Sequence, residues 1–531
     1  MKYGGPIVLA ILDGVGLAPD GPGNAVSKAH TPFLGKIVQE YPHVALEASG
    51  EAVGLTPGQM GNSEVGHNTM GAGRIIKQGI ARIEDELKSG RAYEGNAWKT
   101  AIEKTKNGGV LHFAGIFSDG VVHSDIFQLF QMIRKAYSEG VRKMRVHAVF
   151  DGRDTGPFSA TKYLDMFERY VAEFKDLDIK IATGGGRMVY VADRYENDWQ
   201  IVARGWDAMM NTRADYYFKT PEEAIAMLRR IDPNCQDQNL SPFVIVDEKD
   251  NPVGKINKGD ALIYFDFRAD RAVEIAEAFT LWEFPYFNRG DYKPSDVYFV
   301  GMTEYNSDTH VPYNRLVEPV EFGETLSQFL GKHKISQLAV SETVKFGHVT
   351  YYFNGNSYEK AEKEEFIEIK SDTGDFEKYP KMKTEEITKT VCEKMKDYKF
   401  VRLNYPGGDM VGHTANLEAT IKAMEAIDDG LSKIAEKVDE LGGMMIVVAD
   451  HGNAEELLDN DGNKKTSHTT NLVPCIFYDN TRNNEKYQLA DIVSPGLSNI
   501  AATIAELIGL KDYPAEWQNA LIEPKFDIIE V

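Results

Sequence analysis

Cysteine is scarce in this sequence. The 531 residues include Cys235, Cys392 and Cys475 as their only cysteines, and these three lie far apart in the chain. An odd and dispersed set of this kind supports neither a disulfide framework nor a CxxC metal site. We therefore expect a protein of the reducing cytoplasm.

Long apolar runs are also missing. The apolar stretch from Ile7 to Leu12 is too short for the core of a signal peptide or for a membrane span, and Asp13 follows it at once. No other stretch reaches the ~18 unbroken apolar residues of a spanning helix. We expect a core strand at 7–12 and no membrane partner.

Positive charge is in deficit. Lys and Arg number 59 against 81 Asp and Glu, which gives a net charge of -22. Such a balance argues against binding to a nucleic acid backbone or to an anionic membrane. Because salt screens the net field within about 8 Å, a local cluster of arginines can still bind a small anion.

The remaining composition is that of an ordinary globular protein, with 42% hydrophobic and 26% charged residues. Apolar β-branched runs bounded by Gly or Asp alternate with helical patterns, which is typical of an α/β protein with parallel sheets. Between Ile421 and Leu441 the apolar residues recur every three or four positions, so this segment is predicted to be an amphipathic helix. Asn416 is its predicted N-cap and Gly442 its predicted stop.

Three predicted strands, at 7–12, 400–404 and 444–449, are each followed by polar residues. Ligands of open parallel sheets bind at the carboxyl ends of strands, so these ends are expected to converge although they are far apart in the chain. Further strands are predicted at 110–116, 144–150, 179–182, 261–267 and 297–302. We therefore predict one domain formed by 1–77 and 318–531, with a second α/β domain, 78–317, inserted into it.

The convergent strand ends carry residues that bind metals. Asp409 and His413 are four residues apart, so one helical turn would place both on one face. Alone, such a pair is more often a surface pair or a capping arrangement. Asp450 and His451 directly follow a buried strand, where a buried charge needs a partner. Asp13 and His468 extend the set of O and N ligands, which suits Mn²⁺, Zn²⁺ or Co²⁺ better than Mg²⁺.

Ser63 lies in the glycine-rich segment GQMGNSEVGHNTMGAGR, ahead of a predicted helix. The ordinary interpretation of such a serine is an N-cap. A hydroxyl at a helix N-terminus also lies where backbone N–H groups bind phosphate, and a cation on its oxygen would make it a nucleophile. The sequence thus predicts phosphoryl transfer through Ser63 at a site with two cations.

The strand ends of the inserted segment carry mostly positive side chains. Singly, each arginine is most simply a solvated surface charge, but together they form a plausible pocket for a small polyanion. The stretch GGGRMV lacks the GxGxxG spacing of a dinucleotide loop. The predicted anion-binding residues are His123, Arg153, Asp154, Arg187, Arg194, Arg268 and Arg271.

Taken together, the motifs LDGVG, GQMGNSEVGHNTMGAGR, DGRDT, FRADRA, VKFGHVTYYFNG, DMVGHT, ADHGN and SHTTNLVP occur in the order found in one family. Over nearly its whole length the sequence resembles the cofactor-independent (2,3-bisphosphoglycerate-independent) phosphoglycerate mutases of the alkaline phosphatase superfamily. Val121 and Asp125 stand where the family usually has Gly and His. The resemblance implies an alkaline-phosphatase-like doubly wound sheet domain that binds metal, with an inserted domain that binds substrate.

The resemblance also implies an activity: the interconversion of 2-phosphoglycerate and 3-phosphoglycerate in glycolysis and gluconeogenesis, by a cytoplasmic monomer with two divalent ions, Mn²⁺ by preference. Carried over residue by residue, it assigns one metal to Asp409, His413 and His468, and the other to Asp13, Ser63, Asp450 and His451. Ser63 would become phosphoserine. The substrate would contact the seven anion-binding residues above and Lys345, with Asp154 as acid/base and Lys345 near the transferred phosphate.

Two alternatives stay open on the sequence. A metal-dependent phosphatase or phosphopentomutase would share the metal ligands but differ in the inserted domain. A non-catalytic binding protein would hold metal for structure and would never carry phosphate on Ser63.

Overall fold

The computed structural model describes residues 3–193, 197–306, 309–372, 374–459 and 461–525, and the chain divides into two units. Unit 1 comprises Met1–Lys77 and Val320–Val531, and unit 2 comprises Gln78–Pro319. The chain thus leaves unit 1 after residue 77 and returns to it at residue 320.

Each unit is built on a β-sheet. The strands in chain order are β1 (Ile7–Leu12), β2 (His43–Leu46), β3 (Leu111–Ile116), β4 (Lys143–Phe150), β5 (Asp178–Gly186), β6 (Tyr216–Phe218), β7 (Phe243–Ile245), β8 (Ala261–Tyr264), β9 (Tyr298–Gly301), β10 (Gln337–Glu342), β11 (Glu364–Ile369), β12 (Phe400–Tyr405), β13 (Met444–Val448), β14 (Val473–Tyr478), β15 (Tyr487–Leu489) and β16 (Ile522–Pro524).

Helices alternate with these strands. They are α1 (Ala25–Lys28), α2 (Pro32–Glu40), α3 (Ser63–Ala72), α4 (Gly79–Ser89), α5 (Asn96–Lys106), α6 (Ile126–Ser138), α7 (Ala160–Val171), α8 (Trp199–Trp206), α9 (Pro221–Ile231), α10 (Val273–Thr280), α11 (Leu326–Lys332), α12 (Thr343–Gly347), α13 (Thr384–Lys394), α14 (Gly407–Gly412), α15 (Leu417–Leu441) and α16 (Ile500–Ile508). Within the described residues, no helix combines the length and the apolar character needed to cross a bilayer.

The main sheet of unit 1 has the strand order β11-β10-β12-β1-β13-β14-β2. Strands β11, β10, β12, β1 and β13 run parallel to their neighbours, and β14 pairs antiparallel with β13 and β2. Strand β1 is fully buried between β12 and β13, which come from the far end of the chain. The predicted convergence of three distant strand ends is therefore present in the fold.

Helix α15 covers this sheet and begins and ends as its sequence predicts. The Asn416 side chain accepts a hydrogen bond from the amide of Ala419, and Gly442 ends the helix in the left-handed conformation. The apolar face buries Ile427 and Leu431 completely. Each such side chain contributes about 1.5–3 kcal/mol relative to an exposed one.

Unit 2 contains a second α/β sheet, with the order β6-β7-β5-β4-β3-β8-β9. Its pairs are parallel except for β5 with β7. The predicted α/β class with a second α/β domain is confirmed.

Two predicted strand ends in unit 2 were wrong. Strand β5 continues to Gly186, beyond the predicted end at 182, because the run of glycines at 184–186 pairs with 148–150 of β4. Strand β8 stops at Tyr264, not at 267, because its pairing with both neighbours ends there. Glycine runs and apolar runs are thus poor guides to where pairing ends.

Candidate metal centre

The polar residues of unit 1 gather at one edge of its sheet. Strands β10, β12, β1 and β13 are adjacent and parallel. Lys345, Asp409, Asp13 and Asp450 follow them in that order, so all four side chains lie at the carboxyl edge. The backbone there is close-packed: Gly14 has φ +71, and a Cβ on it would come 2.6 Å from the Cα of Asp409.

Asp409, His413 and His468 form one cluster. The Nε2 atoms of His413 and His468 lie 3.2 Å and 3.0 Å from Oδ1 of Asp409, and 3.1 Å from each other. Asp409 is in α14 and His413 caps it, so the i, i+4 spacing brings both to one face. The three side chains offer ligand atoms close enough to share one cation.

Asp13, Asp450 and His451 form a second cluster, which is fully buried and also offers three mutually close ligand atoms. Ser63 belongs to it: its hydroxyl donates to Oδ1 of Asp13 at 3.2 Å and lies 3.0 Å from Nε2 of His451. The two clusters adjoin, since Nε2 of His451 is 3.9 Å from Oδ1 of Asp409.

The three imidazoles all direct Nε2 inward. Their Nδ1 atoms face backbone carbonyls: Thr466 for His413 at 2.6 Å, Gly61 for His468 at 2.8 Å and Gly452 for His451 at 3.3 Å. A carbonyl oxygen can only accept, so Nδ1 carries the proton and the Nε2 lone pair stays free in the neutral ring. This is the usual orientation of metal-binding histidines.

The donor set fits divalent cations. It combines carboxylate, imidazole and hydroxyl ligands. Oδ2 of Asp450 is a buried oxygen that accepts no hydrogen bond from the described residues, with Nδ1 of His67 at 3.3 Å and Nε2 of His451 at 3.7 Å. A buried carboxylate oxygen without a donor is costly unless a cation compensates it. The mixture of oxygen and nitrogen suits Mn²⁺, Co²⁺ or Zn²⁺.

Lys345 joins the two clusters. Its buried ammonium group donates to Ser63 Oγ at 2.5 Å, to Asp13 Oδ1 at 2.9 Å and to Asp409 Oδ2 at 2.7 Å. Burial acts to lower the pKa of Lys345, but the carboxylates around it dominate and raise that pKa. Lys345 is therefore a permanent positive charge beside the Ser63 hydroxyl.

The electrostatics of the clusters are dominated by close opposite charges. Burial acts to raise the pKa of Asp409, but the Lys345 ammonium group and the hydrogen bonds from its histidines hold that pKa well below its usual range. For His451, burial lowers the pKa, and the carboxylates of Asp450 and Asp13 outweigh burial and raise it to about 9.

Ser63 is the first residue of α3, and the N-cap interpretation of Ser63 is wrong. Asn62 takes that role instead, accepting a hydrogen bond from the amide of Val65 at 3.0 Å. The Ser63 hydroxyl is thereby free to face the clusters, at a helix N-terminus where an anion is stabilised.

Two polar residues of this centre were missed from the sequence. Asn404, within β12, donates to Oδ2 of Asp13 at 2.7 Å and lies 3.2 Å from Nε2 of His67. His67 lies one turn after Ser63 and its Nδ1 is 2.8 Å from the Ser63 carbonyl. The sequence gives little indication of either residue, because neither an amide within an apolar strand nor a histidine within a helix of small residues forms a recognisable motif by its spacing.

A separate polar cluster lies in unit 2. Arg187 is buried and donates to Asp151 at 2.6 Å and to Asp154 at 2.5 Å. His123 lies 3.7 Å from Asp154 and 3.3 Å from Asp270. Burial lowers the pKa of His123, and the nearby Asp270 offsets this in part.

The other predicted anion-binding residues are spread around this cluster. Arg268 lies 3.3 Å from Asp270 and is half exposed, whereas Arg271 is buried and donates to the carbonyl of Ala192 at 2.6 Å. Arg153 is exposed. Arg194 lies outside the described residues. The structure therefore brings His123, Asp154 and Arg187 together directly.

Two acids of unit 2 were also missed. Asp151 binds Arg187 and accepts from the hydroxyl of Ser118 at 2.7 Å, and Asp270 contacts His123. Both lie within motifs of the family resemblance, DGRDT and FRADRA, so the sequence itself marks their positions.

The two residues that depart from the usual family pattern lie in the segment before α6. Val121 has a φ of 53, in the left-handed region, and the Asp125 side chain is the N-cap of α6.

Comparisons with known proteins identify relatives of this chain. The Metalloenzyme superfamily model matches residues 5–512. The chain is 41% identical to the probable 2,3-bisphosphoglycerate-independent phosphoglycerate mutase of Leptospira interrogans, over 97% of each chain. It is 40% identical to the 2,3-bisphosphoglycerate-independent phosphoglycerate mutase of Nicotiana tabacum, over 98% of this chain and 97% of the other.

A solved structure is similar as well. Leishmania mexicana phosphoglycerate mutase, whose crystals were studied at low cobalt concentration, is 38% identical, with a TM-score of 0.65 over 98% of each chain. A relative of this identity and coverage shares both the fold and its family.

Proposed function

The chain belongs to the Metalloenzyme superfamily and to the 2,3-bisphosphoglycerate-independent phosphoglycerate mutases, and from this we propose that it transfers phosphate through Ser63. It is an isomerase of glycolysis and gluconeogenesis that interconverts 2-phosphoglycerate and 3-phosphoglycerate. The arrangement of Ser63 against Asp13, His451 and Lys345 is the observation that carries the proposal.

We assign two divalent cations to the centre, Mn²⁺ by preference. Asp409, His413 and His468 would hold one of them, and Asp13, Ser63, Asp450 and His451 the other. When bound, such ions supply Lewis-acid stabilisation of phosphoryl oxygens and lower the pKa of a ligating hydroxyl. Co²⁺ is a useful alternative probe, since the Leishmania structure was studied with cobalt.

Ser63 acts as the nucleophile in this proposal. Its hydroxyl passes its proton to Asp13, the carboxylate to which it donates a hydrogen bond, and its Oγ attacks the phosphorus of the substrate. A serine O–P bond forms, and the bond from phosphorus to the glycerate oxygen breaks. The glycerate oxygen takes a proton, for which Asp154 is the proposed donor. The other glycerate hydroxyl then returns its proton to Asp154 and attacks the phosphoserine. The serine O–P bond breaks, and Ser63 recovers its proton from Asp13.

Lys345 is the cation of this chain best placed to support that exchange. Its ammonium group contacts the Ser63 oxygen at 2.5 Å, so it stabilises negative charge on that oxygen and on a phosphate attached to it. Fixed charge in a water-poor site is effective because it needs no reorganisation during the reaction.

Substrate binding is assigned to the cluster of unit 2. The Arg187 guanidinium offers a planar fork that matches a carboxylate or a phosphate, and Asp151 and Asp154 hold it in place. His123, Arg153, Arg194, Arg268 and Arg271 complete the proposed set of substrate contacts.

Arg187→Lys is expected to raise the KM for 3-phosphoglycerate about 10–100-fold, because lysine keeps the charge but loses the fork. Steady-state kinetics measure this. The matched control is Arg145→Lys, since Arg145 forms a similar forked pair with Asp178 within the same unit. An unchanged KM in Arg187→Lys, or an equal rise in the control, contradicts the assignment.

Metal binding is expected to strengthen with pH. In the metal-free centre His451 has a pKa of about 9, so below pH 9 an ion must displace its proton. The apparent association constant for Mn²⁺ should therefore rise about tenfold per pH unit between pH 6.5 and 8.5 for each proton released. His413, whose pKa its hydrogen bond to Asp409 raises, steepens the slope at the acidic end. A flat profile, measured by titration of the metal-free protein, would falsify this account.

The proposed activity is tested by incubating the protein with 3-phosphoglycerate and Mn²⁺ in the absence of 2,3-bisphosphoglycerate. A mutase produces 2-phosphoglycerate, whereas a phosphatase on the same metal centre releases inorganic phosphate. Inorganic phosphate as the main product would refute the mutase assignment. We further propose a cytoplasmic monomer, in keeping with the glycolytic role; sedimentation analysis tests the monomer.

A further inference from the structure

Glu455 is a buried acid that cross-links three segments of unit 1. Its Oε2 accepts from the backbone amides of Gly16 at 2.9 Å and Asn453 at 2.8 Å. Its Oε1 accepts from the hydroxyl of Thr469 and from the Asn471 amide group at 3.0 Å. The carboxylate thus uses both oxygens fully, on donors from separate parts of the chain.

Each of the three segments carries proposed metal ligands. Gly16 closely follows Asp13, Asn453 closely follows His451, and Thr469 is next to His468. Glu455 itself contacts none of these ligand atoms in the hydrogen bonds above. It is placed to act through the backbone that carries them.

The surrounding backbone is shaped to this side chain. A Cβ on Gly16 would come 2.3 Å from Oε1 of Glu455, and a Cβ on Gly452 would come equally close. Either contact is too short for real atoms. Glycine at both positions lets two ligand-bearing loops approach the same carboxylate.

We propose that Glu455 is a positioning residue that sets the metal affinity of the centre, an inference that rests on the proposed metal sites. The three ligand-bearing segments are also tied by backbone bonds, from Ala454 to Gly14 at 2.9 Å and from Thr469 to Gly452 at 3.0 Å. The fold therefore has support without Glu455. The carboxylate restrains the positions of the three segments and so the spacing of the ligands that they carry. Loss of a partner that bonds a metal ligand directly costs about 10–100-fold in metal affinity, and Glu455 acts one residue further out, so we expect an effect at the lower end of that range.

The test is Mn²⁺ binding to the metal-free full chain, measured from free Mn²⁺ by electron paramagnetic resonance. Glu455→Gln preserves the size of the side chain but replaces one acceptor oxygen by an N–H₂ group that faces donors. We expect its dissociation constant for Mn²⁺ to rise about tenfold. The KM for 3-phosphoglycerate, measured at saturating Mn²⁺, should stay unchanged.

The matched control is Asp479→Asn. Asp479 is another buried acid of unit 1, and it accepts from the hydroxyls of Tyr3 at 2.7 Å and Tyr487 at 3.3 Å and from the amide of Thr481 at 2.8 Å. This substitution should lower the melting temperature while leaving Mn²⁺ affinity as in the unmodified protein. A merely structural role for Glu455 predicts the same pattern for both variants.

The outcomes distinguish failure of the proposed metal centre from failure of the role of Glu455. If the unmodified protein binds no Mn²⁺, the proposed metal centre fails. If it binds Mn²⁺ and Glu455→Gln binds equally well, or if Asp479→Asn weakens binding as much, the assignment of Glu455 alone is overturned. If Glu455→Gln does not fold, Thr469→Val decides: it removes one donor to the carboxylate and should weaken Mn²⁺ binding severalfold, and an unchanged affinity overturns the assignment.

Discussion

Ser63→Ala is expected to lower mutase turnover by about 10⁴-fold or more, since removal of a nucleophilic serine can cost up to ~10⁶ in kcat. The side chain loses its one oxygen and so cannot form the O–P bond. Its contacts with Asp13 and His451 are local, and α3 keeps its cap at Asn62. The fold and the melting temperature should therefore change little. The coupled assay for 2-phosphoglycerate measures the loss.

A buried serine elsewhere in unit 1 serves as the control for this variant. Ser327 lies near the start of α11 and is fully buried, and Ser327→Ala should retain turnover. Labelled substrate should leave phosphate on the unmodified protein and on the control, but not on Ser63→Ala. Residual turnover above about one per cent of normal, or label retained on Ser63→Ala, would refute the role of Ser63 as nucleophile.

Much of this centre could be predicted from the sequence because strand ends are easy to locate. Asp13 and Asp450 each follow a short apolar run, and parallel strands bring their carboxyl ends to one edge whatever their separation in the chain. Asp409 and His413 are four residues apart in one helical turn, so their spacing also predicts that the two side chains lie on the same face. These residues lie together as expected.

The supporting residues could not be predicted in the same way. Asn404 and Glu455 act through hydrogen bonds to partners far away in the chain, and no local periodicity records such partners. The sequence leaves the N-cap alternative for Ser63 open, because Asn62 and Ser63 have similar capping propensities. What decides between them is the set of contacts that Ser63 makes, which the three-dimensional structure alone supplies.

Removal of divalent cations is expected to lower turnover by about 10³-fold or more. Bound cations contribute several kcal/mol of charge stabilisation in phosphoryl transfer, and each 1.36 kcal/mol is a factor of ten in rate. Without them, His451 carries a proton at neutral pH because its pKa is about 9. Nε2 of His451, which lies 3.0 Å from Ser63 Oγ, then carries a proton and cannot accept one from the hydroxyl. The Lys345 ammonium group remains beside the carboxylates of Asp13 and Asp409.

The loss should be reversible, since nothing in this account requires the chain to unfold. The core of unit 1 buries β1 between two strands, and the metal-free centre retains Lys345 as a cation between its acids. Chelation followed by dialysis and addition of Mn²⁺ should restore full turnover, with a melting temperature that rises with Mn²⁺ concentration as binding to the folded state requires. Full turnover in the chelated protein would exclude a catalytic role for the ions, whereas a rise in melting temperature without recovery of turnover would assign them to structure alone.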